Sequence, residues 1–467
     1  MPISPARIAA FDILVRVERE DAYASELLHS PRLDALSAAD RALATEVVMG
    51  VLRWRSRLDQ AIQPASSRAL DKLDLEVLTA LRLATYQLQY LSRVPAHAAI
   101  NDSVALVKRA RKTSAAPFAN AVLRKLAAVS PAHPKDADEW HTPVNSAITN
   151  EPTTSAALAR EWAHPEWLVE RWTGAFGLQR AAAICEYDQR VPQTAIRVDI
   201  PLIPSFGMSG SDAVLEAELR NEGLELAPGA LITGARIVTG GDITRTRAFR
   251  EGRIFIQDEA SQLVALLVGT GSRVLDCCAA PGGKTAALAA RNPTARIVAA
   301  EIHAHRARLL RERVRAANVE IVTADALELP AGEFDRVLAD VPCSGTGTLA
   351  RNPEIKWRLK SEDLSDLHSR QVAILRAALR QLAPGGRAVY STCSLEGEEC
   401  EAVVEEVLCG EPGYTRLDCQ DELDRLRAAG ELAWRDIDSL LSAKFLRTIP
   451  GVHPCDGFFA AMVERSG

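Results

Sequence analysis

Apolar side chains in the first 128 residues recur at the spacing of amphipathic helices. The runs 8–17, 43–52 and 75–86 each place them three and four positions apart. Because such positions share one face of a helix, the pattern predicts helices throughout residues 5–128. Ser37, three positions before Asp40, is expected to start one of them, since its hydroxyl can accept a hydrogen bond from a free N–H group of the first turn.

From about residue 251 the pattern changes to short apolar runs that alternate with helical spacing. The expected elements are, in chain order, strand 273–279, helix 283–291, strand 295–301, helix 304–317, strands 320–325 and 334–341, helix 364–382, strand 387–393 and helix 398–408. This alternation predicts an α/β domain with a doubly wound parallel sheet, in which ligands bind at the carboxyl ends of the strands. A last apolar run, 457–463, is expected to add an edge strand.

Two less regular stretches separate these halves. Residues 131–158 are rich in Ser, Pro, Thr, Asn and Ala and show little periodicity, which is typical of a linker. Residues 159–250 begin with helical spacing and then turn to strands. We therefore expect an all-α domain at 1–130, a linker at 131–158, a small α+β segment at 159–250 and an α/β domain at 251–467.

Composition narrows the class of protein. The chain has no apolar run of about 18 residues, so no transmembrane helix is expected. Its nine cysteines form no C-x-x-C pair, which favours a reducing cytoplasm over a disulfide framework or a metal site. Residues 1–130 hold 18 Lys and Arg against 13 Asp and Glu, a net of +5 on a chain with an overall charge of −6. This asymmetry indicates a polyanionic partner or ordinary surface scatter. We expect a cytoplasmic monomer.

A glycine-rich turn follows strand 273–279 and opens the next helix. It runs from Cys278 to Lys284 as Cys-Ala-Ala-Pro-Gly-Gly-Lys. Gly282 and Gly283 let the backbone come close to a ligand that faces the N–H groups of the helix. The turn matches neither the dinucleotide fingerprint nor the phosphate loop.

Acidic residues stand at the ends of the next two strands, at Glu301 and Asp325. Carboxylates there can bind the ribose hydroxyls and the base end of a nucleoside cofactor. Together with the turn they favour S-adenosylmethionine over NAD. Each element alone is equally typical of a structural turn with solvated acids.

Two cysteines stand at the ends of neighbouring predicted strands. Cys343 lies in Asp-Val-Pro-Cys-Ser-Gly, which begins at Asp340, and Cys393 lies in Ser-Thr-Cys-Ser. Carbon 5 of cytosine is a poor nucleophile until a thiolate adds to carbon 6, so its methylation needs a cysteine, an acid–base partner and a group near N3 of the ring. Cys393, Cys343 and Asp340 can supply these, and a helix start after Cys393 is expected to favour its thiolate. The alternative is that both cysteines are small buried residues.

Four stretches of the chain resemble the RsmB/NOP family of RNA cytosine-C5 methyltransferases. They are 278–284, 340–345, Arg-Asn-Pro-Glu-Ile-Lys-Trp at 351–357 and Ser-Thr-Cys-Ser at 391–394. The resemblance covers roughly the whole chain and is strongest over the last 220 residues or so. It implies a Rossmann-like methyltransferase domain that acts on 16S ribosomal RNA (rRNA), preceded by an all-α NusB-like domain and a small α+β RNA-binding segment.

The resemblance also implies roles for individual residues. It makes Cys393 the nucleophile, Cys343 the residue that assists product release, and Asp340 a further catalytic residue. The residues alone leave the order of the two thiols open. Contacts to S-adenosylmethionine carry over to Cys278, Ala279, Ala280, Pro281, Gly282, Gly283, Lys284, Glu301, Asp325 and Asp340. The family often has Asp where this chain has Glu301, which leaves a hydroxyl-binding role open to it.

Two basic clusters are candidate RNA contacts. In the NusB-like domain they are Lys108, Arg109, Arg111 and Lys112, with 108 expected to meet 111 and 112 on one helical face. After the Cys343 loop they are Arg351, Lys356 and Arg358. The alternatives are a solvated helix face for the first cluster and, for the adjacent Trp357, an anchor in the core.

Three other functions remain open at this point. A related enzyme could methylate tRNA or another RNA. The chain could also be a non-catalytic NusB-like RNA-binding factor with a degenerate methyltransferase domain, although its motifs are intact. A thiol redox enzyme is remote, because no C-x-x-C pair occurs.

Overall fold

The computed structural model describes residues 3–129, 153–198, 210–329 and 332–467, which divide into two units. The first unit consists of Met1–Val191 and Leu349–Leu359, and the second of Pro192–Thr348 and Lys360–Gly467. Most of the predicted linker lies outside the described residues, and the chain is helical again from Ser155. The predicted α+β segment is divided, because its helices up to Gln189 belong to the first unit, whereas its strands and its later helices belong to the second.

The helices, in chain order, are α1 (Pro5–Glu20), α2 (Ala24–Leu28), α3 (Pro31–Asp34), α4 (Ala38–Arg53), α5 (Arg55–Ala65), α6 (Leu75–Tyr90), α7 (Ala96–Arg109), α8 (Ala116–Val129), α9 (Ser155–Glu161), α10 (Glu166–Phe176), α11 (Leu178–Gln189), α12 (Gly210–Asn221), α13 (Arg247–Arg250), α14 (Glu259–Val268), α15 (Gly283–Arg291), α16 (Ala304–Arg313), α17 (Ile355–Arg358), α18 (Asp363–Leu379), α19 (Glu401–Cys409) and α20 (Cys419–Ala428).

The strands are β1 (Thr194–Val198), β2 (Glu225–Pro228), β3 (Ala235–Gly240), β4 (Ile254–Ile256), β5 (Arg273–Asp276), β6 (Arg296–Glu301), β7 (Val319–Thr323), β8 (Phe334–Asp340), β9 (Leu382–Thr392), β10 (Tyr414–Leu417), β11 (Leu441–Ser442), β12 (Phe445–Thr448) and β13 (Phe458–Arg465).

The first unit is a helical core formed by the apolar faces that the sequence pattern predicts. α1 packs on α4, and α6 packs on α7 and α8. Leu14, Val51 and Leu81 are buried in the shared core. Ser37 caps α4 as predicted, because its hydroxyl accepts a hydrogen bond of 3.1 Å from the N–H group of Asp40.

The segment Leu349–Leu359 belongs to the first unit, although the residues before and after it belong to the second. Its Lys356 is only 1% exposed, and its ammonium group donates to the carbonyl oxygens of Arg53 at 3.0 Å and Ala163 at 3.1 Å. Trp357 donates from its indole N–H to the carbonyl oxygen of Leu52 at 2.7 Å. Burial lowers the pKa of Lys356 to about 7, since a charged amine loses its hydration there.

The second unit contains two sheets. β2, β3, β1 and β4 form a four-stranded antiparallel sheet in that order. The larger sheet has the order β11-β12-β13-β9-β8-β5-β6-β7, with β10 also paired to β13. Its five neighbouring strands β9, β8, β5, β6 and β7 are parallel, and β13 is antiparallel to β9. The predicted α/β sheet is therefore present, with an antiparallel extension.

The prediction that the last strand lies at an edge is wrong. β13 lies between β9 and β12 and pairs with β10 as well. Its residues Phe458–Val463 are all buried, which matches a continuous apolar run rather than the alternation of a half-exposed strand. Among the described residues, no helix is long and apolar enough to cross a membrane.

The buried ammonium of Lys356 makes the stability of the chain depend on pH. An unfolded lysine has a pKa of about 10.4. Between about pH 7 and about pH 10 the unfolded state therefore binds more protons than the folded state, and stability rises with pH in that window. Lys356→Met lacks this contribution.

Above pH 7, we expect the free energy of unfolding of the wild type to rise, relative to that of Lys356→Met, by on the order of 1 kcal/mol per pH unit. Urea unfolding of the full chain at about pH 7 and about pH 9 measures the difference. Lys360→Met, a change at an exposed lysine just outside the segment, is the matched control and should track the wild type. Parallel curves for Lys356→Met and the wild type would contradict the buried-ammonium interpretation.

Candidate active site

The site forms where four neighbouring parallel strands end. β6, β5, β8 and β9 are adjacent in that order, so their carboxyl ends meet at one edge of the sheet. In the register, Asp276 is opposite Leu338 and Ala299, and Asp340 is opposite Ser391. The loops that carry the two predicted thiols therefore leave adjacent strands side by side.

The two thiols are in contact. The Sγ atoms of Cys343 and Cys393 are 3.2 Å apart, and both side chains are half-buried. The loop after Cys343 is held against the end of β9, because the N–H group of Gly347 donates to the carbonyl oxygen of Cys393 at 2.8 Å. A Cβ atom at Gly347 would lie 2.1 Å from the carbonyl oxygen of Gly457, so only glycine fits this approach.

An ion pair lies beside the thiols. Lys284 Nζ is 2.8 Å from Asp340 Oδ2, and the hydroxyl of Ser391 donates to Asp340 Oδ1 at 2.7 Å. The pKa of Cys393 is raised well above its ordinary value, first by its hydrogen bond with Cys343 and then by burial, while the Lys284 ammonium opposes the rise. The site thus brings Asp340, Lys284 and both thiols together, as the motifs predict.

The helix expected to favour the Cys393 thiolate does not begin at that residue. A short 3-10 turn spans Gly397–Glu399, and α19 begins only at Glu401. The prediction of a lowered pKa is therefore wrong in direction. The predicted helix 398–408 corresponds to α19, which begins three residues later, because sequence periodicity does not locate the first turn.

The glycine-rich turn has the geometry that the sequence predicts. Gly282 has a φ of +111°, and α15 begins at Gly283. A Cβ atom at Gly282 would lie 2.8 Å from Leu310 and 2.9 Å from Val314, so both its conformation and its packing call for glycine. Ala279 continues the ladder beyond β5 by donating its N–H group to the carbonyl oxygen of Ala300 at 2.9 Å.

Acidic residues stand at or just beyond the ends of two successive strands. Glu301 ends β6, is 4% exposed and accepts from the N–H group of His303 at 2.9 Å. Asp325 lies two residues beyond β7 rather than at its end, and accepts from the N–H group of Leu327 at 2.9 Å. The carboxylate oxygens of Glu301 and Asp325 can accept further hydrogen bonds. They therefore fit the hydroxyl and amino groups of a nucleoside cofactor, which donate.

Asp276 is a buried site residue that the sequence reasoning missed. It ends β5, two residues before the glycine-rich turn 278–284, and is 1% exposed. Its Oδ2 accepts from the hydroxyl of Thr285 at 2.8 Å, whereas its Oδ1 has no hydrogen-bond partner within the described part of the chain. Burial raises its pKa to about 7. An acidic residue at the end of the strand that precedes a glycine-rich turn was the available signal.

Comparison with known proteins identifies the family. Residues 264–464 match the family described as 16S rRNA methyltransferase RsmB/F. The probable ribosomal RNA small subunit methyltransferase B of Bacillus subtilis (strain 168) is 31% identical over 478 residues, covering 100% of both chains. The ribosomal RNA small subunit methyltransferase B of Pseudomonas syringae pv. tomato is 32% identical and covers 83% of each.

The chain belongs to the RsmB/F methyltransferase family.

Two further comparisons extend this assignment to the fold. Residues 4–128 match the NusB family, so the helical core of this RsmB/F member is NusB-like. The crystal structure of PH0851 has the same fold over 100% of both chains, with a TM-score of 0.76 at 22% identity. A methyltransferase homolog protein from Pyrococcus horikoshii covers 68% of this chain and is itself covered completely, with a TM-score of 0.53 at 26% identity.

The first basic cluster of this RsmB/F member does not share one helical face. α7 ends at Arg109, and Arg111 has a left-handed φ of +63°. The expectation that 108 meets 111 and 112 on a helix is therefore wrong, because the helix is shorter than predicted. Arg109 forms a bidentate ion pair with Asp12 at 2.6 and 2.9 Å, and Lys112 lies 3.0 Å from Asp74. Ion pairs at or near the surface such as these contribute little to stability.

The second basic cluster belongs by its contacts to the first unit. Lys356 is buried there, so the structure does not support the predicted RNA contact for this residue. Arg358 donates to the carbonyl oxygens of Asp21 at 2.7 Å and Val17 at 3.0 Å, and to that of Ala22. Arg351 is half-buried. These placements favour the alternative noted for Trp357, in which the segment anchors itself in the core.

The contact between the thiols makes a testable prediction about acidity. Cys343→Ala removes the largest cause of the raised pKa of Cys393, so alkylation of Cys393 should reach its midpoint at a lower pH. Iodoacetamide labelling of the Cys393 peptide, followed by mass spectrometry across a pH series, measures this midpoint. Cys409→Ala, a change at an exposed cysteine, should leave it unchanged. A midpoint that stays in place or moves up in Cys343→Ala would contradict the interpretation.

Proposed function

We propose that this chain methylates carbon 5 of a cytosine in 16S rRNA, through a transient bond between Cys393 and carbon 6 of the base. One observation carries the proposal: two thiols lie 3.2 Å apart beside an ion pair, at the ends of adjacent parallel strands. S-adenosylmethionine, when bound, supplies an electrophilic methyl group. The glycine turn 278–284, Glu301, Asp325 and Asp340 are the residues proposed to hold it.

The Cys393 sulfur begins the reaction. It loses its proton to solvent and, as a thiolate, forms a bond to carbon 6. The electrons of the 5,6 double bond then form the new bond from carbon 5 to the methyl group, and the electrons of the broken methyl–sulfur bond would remain on the sulfur of the cofactor. Its proximity to Lys284 supports this step, since the ammonium stabilises the thiolate. Asp340, held by Lys284 and Ser391, accepts a hydrogen bond from the amino group of the base and so fixes the ring.

The Cys343 sulfur completes the reaction. After methylation, the proton on carbon 5 must leave, its bonding electrons re-form the double bond, and the bond between carbon 6 and Cys393 breaks to return the thiolate. The contact of the Cys343 sulfur with the Cys393 sulfur supports a role for Cys343 in this step. We assign to it the removal of that proton or the assistance of the departing thiol.

The choice of 16S rRNA rests on the relatives and on the NusB-like core. The relative in Bacillus subtilis is named probable ribosomal RNA small subunit methyltransferase B, the relative in Pseudomonas syringae carries the same name without that qualifier, and residues 4–128 match the NusB family. The target base must be unpaired or flipped out to reach a site at the sheet edge. The exposed Lys108, Arg109 and Arg111 are proposed to contact backbone phosphates, which makes binding weaken with salt.

Substitution of each thiol should stop the reaction at a different step. Cys393→Ala removes the atom that bonds to carbon 6, so methyl transfer should fall to background. Cys343→Ala leaves bond formation intact and blocks release, so a covalent complex of protein and RNA should accumulate. Transfer of a radiolabelled methyl group and denaturing gels of the RNA mixture measure the two outcomes. The reverse pattern would exchange the roles of the two sulfurs.

Mapping the modified base separates the possible substrates. Bisulfite sequencing of RNA from a strain lacking the gene should show one 16S rRNA cytosine that loses protection and regains it when the wild-type gene is returned. The Cys393→Ala gene, returned in the same way, is the matched control and should not restore it. Loss of protection in tRNA instead would transfer the proposal to that substrate. No change in any RNA would favour a non-catalytic RNA-binding factor.

A further inference from the structure

A buried carboxylate lies directly behind the two thiol loops. Glu399 is 0% exposed and sits in the 3-10 turn between β9 and α19. Within the described residues, no basic side chain forms an ion pair with it. A buried carboxylate without a counter-charge needs several hydrogen bonds to offset its lost hydration.

Both thiol loops supply these hydrogen bonds. From the first loop, the N–H group of Ser344 donates to Glu399 Oε1 at 2.8 Å, and the hydroxyl of Ser344 donates to Oε2. From the second, the hydroxyl of Ser394 donates to Oε2 at 2.5 Å. Ser344 follows Cys343 directly and Ser394 follows Cys393 directly, so one side chain ties together the residues next to both sulfurs.

Side chains of α18 and β9 hold Glu399 in place. Gln371, on α18, donates to Glu399 Oε1 at 2.8 Å and to the carbonyl oxygen of Pro342 at 3.0 Å. Tyr390 donates from its hydroxyl to the backbone carbonyl of Glu399 at 2.7 Å. Four donors thus fill the acceptor positions of the carboxylate, and its own backbone is held by β9.

We infer that Glu399 is a positioning residue that sets the distance between the Cys343 and Cys393 sulfurs. This inference rests on the proposed function, since it assumes that both sulfurs act on one base. The carboxylate touches no reacting atom, and it acts through Ser344 and Ser394. Charge-assisted hydrogen bonds are shorter and stronger than neutral ones, so a carboxylate holds the two loops more firmly than an amide can.

The two serines divide the effect between the two chemical steps. Ser394→Ala frees the loop of Cys393, so formation of the covalent bond should slow. Ser344→Ala frees the loop of Cys343, so release should slow while bond formation stays near the wild-type rate. Glu399→Gln keeps the shape of the side chain, weakens both attachments and should slow both steps. A purely structural role for Glu399 would move stability without this division.

The test uses the full chain with 16S rRNA and S-adenosylmethionine. For Glu399→Gln we expect kcat to fall by about 10- to 100-fold while KM for RNA stays within about 3-fold of the wild type, because small misplacements of reacting groups cost rate more than binding. RNA that contains 5-fluorocytosine reports bond formation and methyl transfer without release, because the fluorine cannot leave as the proton does. Glu405→Gln, the same chemical change at an exposed position of α19, is the matched control and should behave as the wild type.

The results separate failure of this inference from failure of the proposed function. If Cys393→Ala is inactive and Glu399→Gln retains the wild-type kcat, only the positioning role of Glu399 is overturned. If Cys393→Ala still methylates RNA, the covalent mechanism and this inference both fall. If Glu399→Gln does not fold, as judged by circular dichroism, the two serine variants decide: equal effects of both on both steps would overturn the inference.

Discussion

The site depends on the parallel pairing of β8 with β9. The proposed reaction needs both sulfurs within reach of one base, which is possible because the two loops leave the sheet side by side. The register in which Asp340 is opposite Ser391 provides this, because each thiol then lies two or three residues beyond a paired position. Hydrogen bonds between the loops and to Glu399 hold the sulfurs at 3.2 Å. A slip of the register would separate them.

The electrostatics of the site favour a thiol that is protonated at rest. Burial and the neighbouring Cys343 raise the pKa of Cys393, while the Lys284 ammonium acts in the opposite direction from its ion pair with Asp340. A charge that compensates the thiolate, such as that of the Lys284 ammonium, therefore favours its formation. Asp276, whose pKa burial raises to about 7, adds a carboxyl group next to the glycine-rich turn that is mostly uncharged below pH 7.

The sequence motifs predict which residue types form the site more completely than they predict the order of the strands or the burial of single residues. The motifs around Cys278, Asp340, Cys343 and Cys393 specify residue types whose combination has few uses, so the structure brings together what the motifs imply. Elements with strong periodicity, such as α15, were predicted with the observed bounds. The place of β13 was missed because pairing between strands distant in sequence leaves no local signal. Lys356 was misassigned for a similar reason, since a charged residue is expected at the surface unless distant carbonyl groups receive it.

The contribution of Leu349–Leu359 to the first unit has a consequence for how the chain folds during synthesis. A ribosome makes the amino-terminal helices first. The ammonium group of Lys356, which donates to the carbonyl oxygens of Arg53 and Ala163, is translated much later. The order of translation and the order of completion therefore differ: the amino-terminal unit is finished only after most of the catalytic sheet has emerged. A fragment cut at the boundary between the units would lack this peptide and leave a gap in its own interior.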